Sequence, residues 1–167
     1  MVYVAGNGAP ELMSHQILDT FALLDTQVTR LHAELQADPR TLPDIRAQVE
    51  IKLTPVKPER MTTPLPTYQI TATLAVRGLT SGDPEKPAFT IDCVMNALYR
   101  QTLGEAMPFA EFSASHRALT RQLYPLMHHQ LLPLIRQLGL QQVRLPHDIV
   151  HRPEPESTTT PSAPTMH

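Results

Sequence analysis

Strict alternation of apolar and polar residues marks three segments in the middle of the chain as β-strands. In residues 47–54 the apolar side chains are Val49, Ile51 and Leu53, and polar residues stand between them. Residues 68–77 and 89–100 repeat this two-residue period, which places one row of side chains on a buried face. Turn-forming residues fill the connection between the last two segments, so we expect that pair to run antiparallel.

A period of three and four residues occupies residues 113–140 and predicts an amphipathic helix with one broad buried stripe. Ser113 or Ser115 is placed to cap its first turn, and Gly139 suits the left-handed turn at its end. The apolar residues of the stretch are Leu119, Leu123, Leu126, Met127, Leu131, Leu134, Ile135 and Leu138.

Two prolines interrupt this helical stretch. Proline lacks the amide proton and clashes with the carbonyl four residues back, so a straight helix is not expected. We predict a short first helix, a break at Tyr124-Pro125 with Pro125 starting a new helix, and a kink near Pro133.

The N-terminal part is harder to assign. Residues 1–10 show no periodicity, and residues 11–24 have the spacing of a short amphipathic helix. Residues 27–36 continue a three-four rhythm, which slightly favours helix, but they also alternate, which permits a strand. The dipeptide Asp38-Pro39 ends the segment in either case.

Strands followed by helices indicate an α+β fold, with an antiparallel sheet and helices packed on one face. We divide the chain into an N-terminal extension (1–24), one domain (25–150) and a C-terminal tail (151–167). The tail contains four prolines and almost no apolar side chain. It cannot bury enough surface to offset the entropy of ordering, so we predict that it is disordered.

Composition excludes several classes of protein. The net charge of -2 argues against a nucleic-acid surface, which depends on clustered Lys and Arg. The single cysteine, Cys93, excludes an internal disulfide and a multi-cysteine zinc site, and is compatible with a cytoplasmic location. No apolar run approaches the roughly 20 residues of a membrane span, and we see no signal peptide.

The candidate chemistry is weak. His128 and His129 are adjacent and would project apart on a helix, so they cannot chelate one ion together. His147 and His151 are four residues apart but lack the intervening Glu of the metalloprotease pattern. Cys93 lies in the middle of an apolar strand face, where a thiol behaves as a small hydrophobe. We therefore predict no catalytic residue, no metal site and no cofactor, and we do not expect an enzyme.

The predicted sheet has more apolar length than one helix can readily cover. Val94, Leu98 and three methionines, Met95, Met107 and Met127, would be left for a neighbour, as would the N-terminal apolar stripe. Exposed apolar patches of several hundred Å² mark association sites. Packing within one subunit explains the pattern equally well. If apolar surface does remain exposed, we expect it to be covered first by another copy of the chain and second by a partner polypeptide.

Residues 27–149 resemble the SecB family of protein-export chaperones and its SecB-like relatives. The long strand 89–101 ends in Tyr-Arg-Gln where the family has a Gln-Gly-Ile-Phe-like end. The Leu-Tyr-Pro-Leu-Met run at 123–127 is similar to the Leu-Phe-Pro-Tyr-Ala stretch that opens the family's main helix. Residues 139–149 look like the glycine, short apolar segment and proline that follow that helix.

This resemblance implies a four-stranded antiparallel sheet with kinked helices on one face, and it assigns strand to residues 27–36. It implies a dimer of dimers, so we expect a homotetramer, with a dimer as the alternative. Non-native polypeptide would lie in long apolar surface grooves, with no nucleotide. The family's final helix and acidic end are missing, so coupling to a SecA-like motor is not expected. A solitary SecB-like chaperone, of the kind associated with toxin–antitoxin systems or mobile elements, fits better.

Under this interpretation the protein is a holdase for non-native or unassembled polypeptides; the alternative is a non-catalytic oligomeric interaction or structural protein. For subunit assembly we name Leu119, Leu123, Leu131 and Leu134. Each apolar residue named here has ordinary core packing as an equally good explanation. The candidate client-binding residues are Leu31, Leu35, Val49, Ile51, Leu53, Tyr124 and Met127.

Overall fold

The computed structural model describes residues 17–42, 44–59, 63–83 and 85–149. The predictions for residues 1–10 and for the tail at 151–167 lie outside the described residues. So do residues 11–16 of the helix predicted for residues 11–24; of the remainder, only residues 17–20 are helical.

Four antiparallel strands form one sheet. They are β1 (Phe21–Leu35), β2 (Ile45–Val56), β3 (Thr67–Thr80) and β4 (Phe89–Gln101). Their order across the sheet is β1-β4-β3-β2, so the connection after β1 carries the chain from one edge to the other. The α+β prediction is confirmed, and so are the three alternating strands.

The local sequence pattern predicted the wrong secondary structure for the first strand. Residues 27–36 are strand almost to their end, as the resemblance implied, and the slight local preference for helix is wrong. Residues 21–24, expected to end a helix, also belong to β1. The register against β4 shifts between Leu23 and Asp25 and again between Val28 and Arg30. Each shift adds a residue, so the inward-facing side chains follow mixed two- and three-residue steps that resemble a helical rhythm.

Two helices lie on one face of the sheet, which we call the inner face. They are α1 (Phe109–Ala114) and α2 (His116–Gln137). Tyr68 to Val76 of β3 and Phe89 to Tyr99 of β4 supply the inner rows of side chains at alternate positions, and each is at most 3% exposed. The fully buried residues of α2 that cover these rows are Leu119, Leu123, Met127 and Leu131.

The predicted break at Tyr124-Pro125 is wrong, because α2 is one helix from His116 to Gln137 that contains both prolines. Pro125 and Pro133 are exposed, so the carbonyl groups that lose an amide partner, those of Arg121 and His129, lie on the solvent side. Water can satisfy them there, and the buried stripe on the opposite side stays continuous.

The helical break lies instead at Ser115, between α1 and α2. The expected cap is not formed, because both serine hydroxyls bond within α1. The Ser113 hydroxyl donates to the Phe109 carbonyl at 2.8 Å, and the Ser115 hydroxyl donates to the Glu111 carbonyl at 3.2 Å. This is the back-bonding that serine offers inside a helix.

Buried polar side chains fix the connection from the sheet to the helices. The Gln101 side chain is 3% exposed; its amide donates to the carbonyls of Leu103 and Glu105, and its oxygen accepts the Met107 amide. The Tyr68 hydroxyl donates to the Met107 carbonyl at 2.6 Å. These bonds hold residues 102–107 in place between β4 and α1.

Close packing of β3 against β4 gives the first testable prediction. A Cβ atom at Gly78 would overlap the ring of Phe89, which is fully buried. We expect Gly78→Ala to lower the free energy of unfolding by about 1–3 kcal/mol through overpacking, measured by denaturant melts. Gly82→Ala, with nothing within 4 Å of the added Cβ, is the control and should change little. Equal stability of the two variants would contradict this packing.

Candidate functional site

The inner face of the sheet is sealed in its middle and open along its edges. The helices cover the inner rows of β3 and β4, but the inward residues of β2 are only half-buried. On β1, Leu31 is 41% exposed and Leu35 is 39% exposed. Between them the inward residue is Ala33, which is half-buried. We call Leu31, Ala33 and Leu35 the β1 track.

The β1 track ends in a cavity of about 640 Å³. One wall is the end of β1 with the turn that follows it, and the other is the C-terminal end of α2. The lining residues are Leu35, Gln36, Ala37, Asp38, Pro39, Arg40, Gln137, Leu138 and Gly139. We call this cavity the crossover pocket, because the chain here crosses from one sheet edge to the other.

The strand side of the crossover pocket is built by the turn after β1. The amides of Gln36 and Ala37 both donate to the Ala88 carbonyl, at 2.8 and 3.1 Å. A short 3-10 helix, Pro39–Thr41, follows, with the Asp38 carboxylate accepting the Arg40 amide at 3.0 Å. Proline at the first position suits this turn because its φ is already fixed.

The helical side is shaped by a glycine turn. Gly139 has φ of 73°, as expected from the sequence. Its amide donates to the Arg136 carbonyl at 3.1 Å, and the Leu140 amide donates to the Ile135 carbonyl at 3.0 Å. This pair of bonds is a Schellman motif. It turns the chain sharply at the end of α2 and leaves space beside Leu138.

The crossover pocket has a polar rim and apolar side chains within. The Arg40 amide hydrogen bond to Asp38, together with the nearby Arg40 guanidinium, holds the pKa of the Asp38 carboxyl below its usual value. The carboxylate is therefore charged at neutral pH and stays at the solvent edge. Leu35, Ala37 and Leu138 provide apolar surface. Such a cavity can take an apolar side chain while polar groups at its mouth meet a peptide backbone.

The structure separates the predicted client-binding residues into three groups. Leu31 and Leu35 lie on the β1 track and are accessible. Val49, Ile51 and Leu53 lie on the opposite edge strand, half-buried against the core. The third group, Tyr124 and Met127, is 2% and 0% exposed, so neither side chain offers surface to a client in this conformation.

Leu119, Leu123 and Leu131, predicted at a subunit interface, are 0–1% exposed within one chain. They are core residues, so their side chains have no surface left for a second subunit. Only Leu134 is half-buried. Among the methionines expected to be left over, Met95 and Met127 are in the core.

The segment 140–149 explains why Tyr124 is hidden. The Tyr124 hydroxyl donates to the Pro146 carbonyl, and burial, with Asp148 nearby, raises the pKa of Tyr124 to about 12. The His128 ring lies 5.8 Å from the Tyr124 ring and 6.3 Å from the His147 ring, measured between centroids. These contacts pin residues 146–148 to the middle of α2.

The metal and thiol candidates of the sequence can also be located in the structure. No group of three or more His, Cys, Asp or Glu among them is arranged to hold a metal ion. Cys93 is buried, and this burial raises the pKa of its thiol, which keeps it protonated and unreactive. In the same part of the chain, every helix is too short or too polar to cross a membrane.

Comparison with known proteins identifies a solved structure of similar fold. No family model matches the chain, and no curated protein matches it. Among solved structures, a similar one is the Mycobacterium tuberculosis Rv1957 SecB-like chaperone in complex with a ChAD peptide from Rv1956 HigA1 antitoxin. It has a TM-score of 0.63 and 15% sequence identity, covering 83% of this chain and 98% of that chain. The fold is SecB-like.

Sequence reasoning named Leu31 and Leu35 of the β1 track as candidate client-binding residues, which stays a prediction, and it did not indicate the crossover pocket. The pocket is lined by a turn, residues 36–40, and by a helix end, residues 137–139. Neither segment has a periodic sequence pattern from which the lining of a cavity could be predicted. The dipeptide Asp38-Pro39 and Gly139 marked where elements end. Nothing in the sequence indicated that these two ends meet.

The partly buried His128 predicts that the stability of the fold depends on pH. Burial, followed by the neighbouring His147 and His129, lowers the pKa of His128. Tyr124 and Asp148 also border the cluster. A His whose pKa is lower in the folded state binds a proton more readily when unfolded, so stability falls as pH drops through about 6.5 and below.

We therefore expect His128→Gln to flatten the fall in melting temperature between about pH 7.5 and pH 5.5. His116→Gln, at the exposed start of α2, is the control and should melt with the pH dependence of the unaltered protein. An unchanged slope in His128→Gln would show that His128 is not the group responsible.

Proposed function

We propose that the protein is a holdase, a chaperone that binds non-native or unassembled polypeptides on its surface without nucleotide. The observation that carries the proposal is the β1 track leading into the crossover pocket. It is an accessible apolar strip along one edge of the inner face, and it ends in a cavity large enough for one or more side chains.

The geometry of the β1 track suits an extended chain. Leu31 and Leu35 are separated by about 13 Å along the strand, which is twice the repeat of about 6.7 Å between side chains on one face of a partner strand. β1 is an edge strand, so its outer backbone groups can pair with added main chain. Main-chain pairing gives affinity, and the pocket adds a modest preference for an apolar side chain.

The comparison supports polypeptide as the ligand class. Rv1957 is a SecB-like chaperone in complex with a peptide from an antitoxin, and the present chain shares its fold. We infer that an antitoxin-like client, a chain that is unassembled without its partner, is a candidate for this protein. Binding such a chain lowers the concentration of the aggregation-prone species by mass action.

The second candidate is a non-catalytic interaction protein whose β1 track is covered by another copy of itself. The open β1 edge favours this alternative, because an unpaired edge strand readily pairs with a second one. In both cases we expect a cytoplasmic homo-oligomer, a tetramer before a dimer. The two candidates differ in whether the apolar surface stays available after assembly.

A holdase assay tests the proposal. We expect the unaltered protein, at substoichiometric amounts, to suppress aggregation of an unrelated protein diluted from denaturant, followed by light scattering. Leu31→Ser with Leu35→Ser should abolish most of this suppression by removing apolar contact area. Because both side chains are already about 40% exposed, each substitution should lower the free energy of unfolding by only about 1–2 kcal/mol.

Leu126→Ser is the matched control, since Leu126 is 39% exposed but lies on α2 rather than on the β1 track. It should suppress aggregation normally. Absence of suppression by the intact oligomer would favour the interaction-protein candidate. For Val49 and Ile51, half-buried on the other edge, the client role stays a prediction: serine there should weaken suppression more than it lowers the melting temperature.

The oligomer is tested separately by multi-angle light scattering of the full chain. We expect a mass that is twice or four times the 18.7 kDa of one chain. Addition of a charge to the β1 edge, for example Thr29→Lys, should reduce that mass if β1 edges pair. A monomeric mass for the unaltered protein would contradict assembly while leaving the holdase assay valid.

A further inference from the structure

Segment 140–149 returns over α2 in two parts that are held in different ways. Its first part is anchored in the core by three apolar side chains that are 0–8% exposed, those of Leu140, Val143 and Leu145. In its second part, residues 146–149, two side chains are exposed and two are half-buried. We call residues 146–149 the cover, because they lie over Tyr124, whose side chain is only 2% exposed.

The cover is fastened to α2 by a hydrogen bond and by two imidazole rings. The Tyr124 hydroxyl donates to the Pro146 carbonyl. The His128 ring lies one helical turn from Tyr124, with 5.8 Å between the two ring centroids, and 6.3 Å separate its centroid from that of the His147 ring of the cover. A segment held by so few contacts can open locally while the core stays folded.

Proton binding changes the charge inside this fastening. His128 is half-buried, and burial first, then the neighbouring His147 and His129, lowers its pKa. A proton on His128 is therefore disfavoured while the cover is closed, and it binds more readily once the ring meets water. By this linkage, acidification favours the open cover. When His147 is protonated as well, the two adjacent rings also repel each other.

The other titratable groups around His128 offset this repulsion only in part. On α2, Tyr124 has a pKa raised to about 12 and stays neutral, and His129 adds positive charge when it is protonated. On the cover, Asp148 is the one acidic residue, and it is exposed, so solvent screens its attraction for the imidazoles. The inner rows of β2, β3 and β4, on which α2 packs, carry no charged side chain.

We propose that the cover is a pH-sensitive gate: protonation of His128 and His147 opens it and uncovers Tyr124 as an additional contact for non-native chains. The client part of this inference rests on the holdase proposal, which it extends by a second contact surface and its regulation. The accessible residues of the β1 track need no such opening. Tyr124 does, because its side chain is hidden in the closed state.

The closed state itself indicates what the uncovered Tyr124 would bind. Its present occupant is a stretch of peptide, whose main-chain carbonyl at Pro146 accepts the Tyr124 hydroxyl. A client chain can offer the same carbonyl acceptor to the hydroxyl and an apolar side chain to the ring. Polypeptide is therefore the occupant that the geometry favours, with the client taking the place of the cover.

The gate is tested by NMR on the full chain with a soluble gadolinium chelate, which speeds the relaxation of protons close to solvent. The Tyr124 ring protons, assigned with Tyr124→Phe, should show about fivefold more of this enhancement at about pH 5.5 than at about pH 7.5. Tyr99, fully buried in the core, should stay shielded at both. Equal shielding of Tyr124 at the two pH values would overturn the proposal, and so would joint exposure of Tyr99, which would mean global unfolding.

Histidine variants identify the groups responsible. His128→Gln with His147→Gln removes both protonation sites and keeps polar side chains, so Tyr124 should stay shielded at about pH 5.5. His32→Gln with His116→Gln, at two exposed positions outside the cluster, is the matched control and should open as the unaltered protein does. Opening of the cover in the first variant would overturn the role of His128 and His147.

Client binding is measured separately, by fluorescence anisotropy of reduced and carboxymethylated α-lactalbumin labelled with fluorescein. At about pH 5.5 the unaltered protein should bind this unfolded chain about fivefold more tightly than the variant lacking His128 and His147, and at about pH 7.5 the two should bind alike. Equal binding at the lower pH, with Tyr124 uncovered, would overturn the client role of the gate. Normal opening without client binding at either pH would support the gate and refute the holdase proposal.

Discussion

The structure depends on one packing contact, the apolar stripe of α2 lying along the inner rows of β3 and β4. A helix is about 10–12 Å across, and neighbouring strands are about 4.8 Å apart. One helix therefore cannot cover all four strands; α2 approaches β2 and β4 and leaves β1 at the open edge. Leu123 and Met127 are fully buried at the centre, while Leu31 at the edge keeps 41% of its surface exposed. The accessible apolar strip is thus a geometric consequence of a four-stranded sheet with a single long helix.

The same contact explains why α2 tolerates two prolines. A proline in a buried part of the helix would leave a carbonyl without a partner in an apolar environment. Here Pro125 and Pro133 lie opposite the stripe, where water replaces the missing donor. The stripe aligns Leu119 through Ile135 against the sheet, and that burial outweighs the helical bonds that are lost. The three- and four-residue period predicted the buried stripe correctly. The prolines suggested that the helix is interrupted at Tyr124-Pro125, but packing of the stripe against the sheet keeps the helix continuous.

How much the sequence predicts varies along the chain for identifiable reasons. β2, β3 and β4 alternate without interruption, so their faces follow directly from the two-residue period. β1 does not, because bulges near Leu24 and Thr29 shift its inward side chains out of phase. Tyr124 was expected at the surface, since periodicity cannot foresee that residues 140–149 return over α2. The crossover pocket depends on two element ends meeting, and no local pattern encodes that.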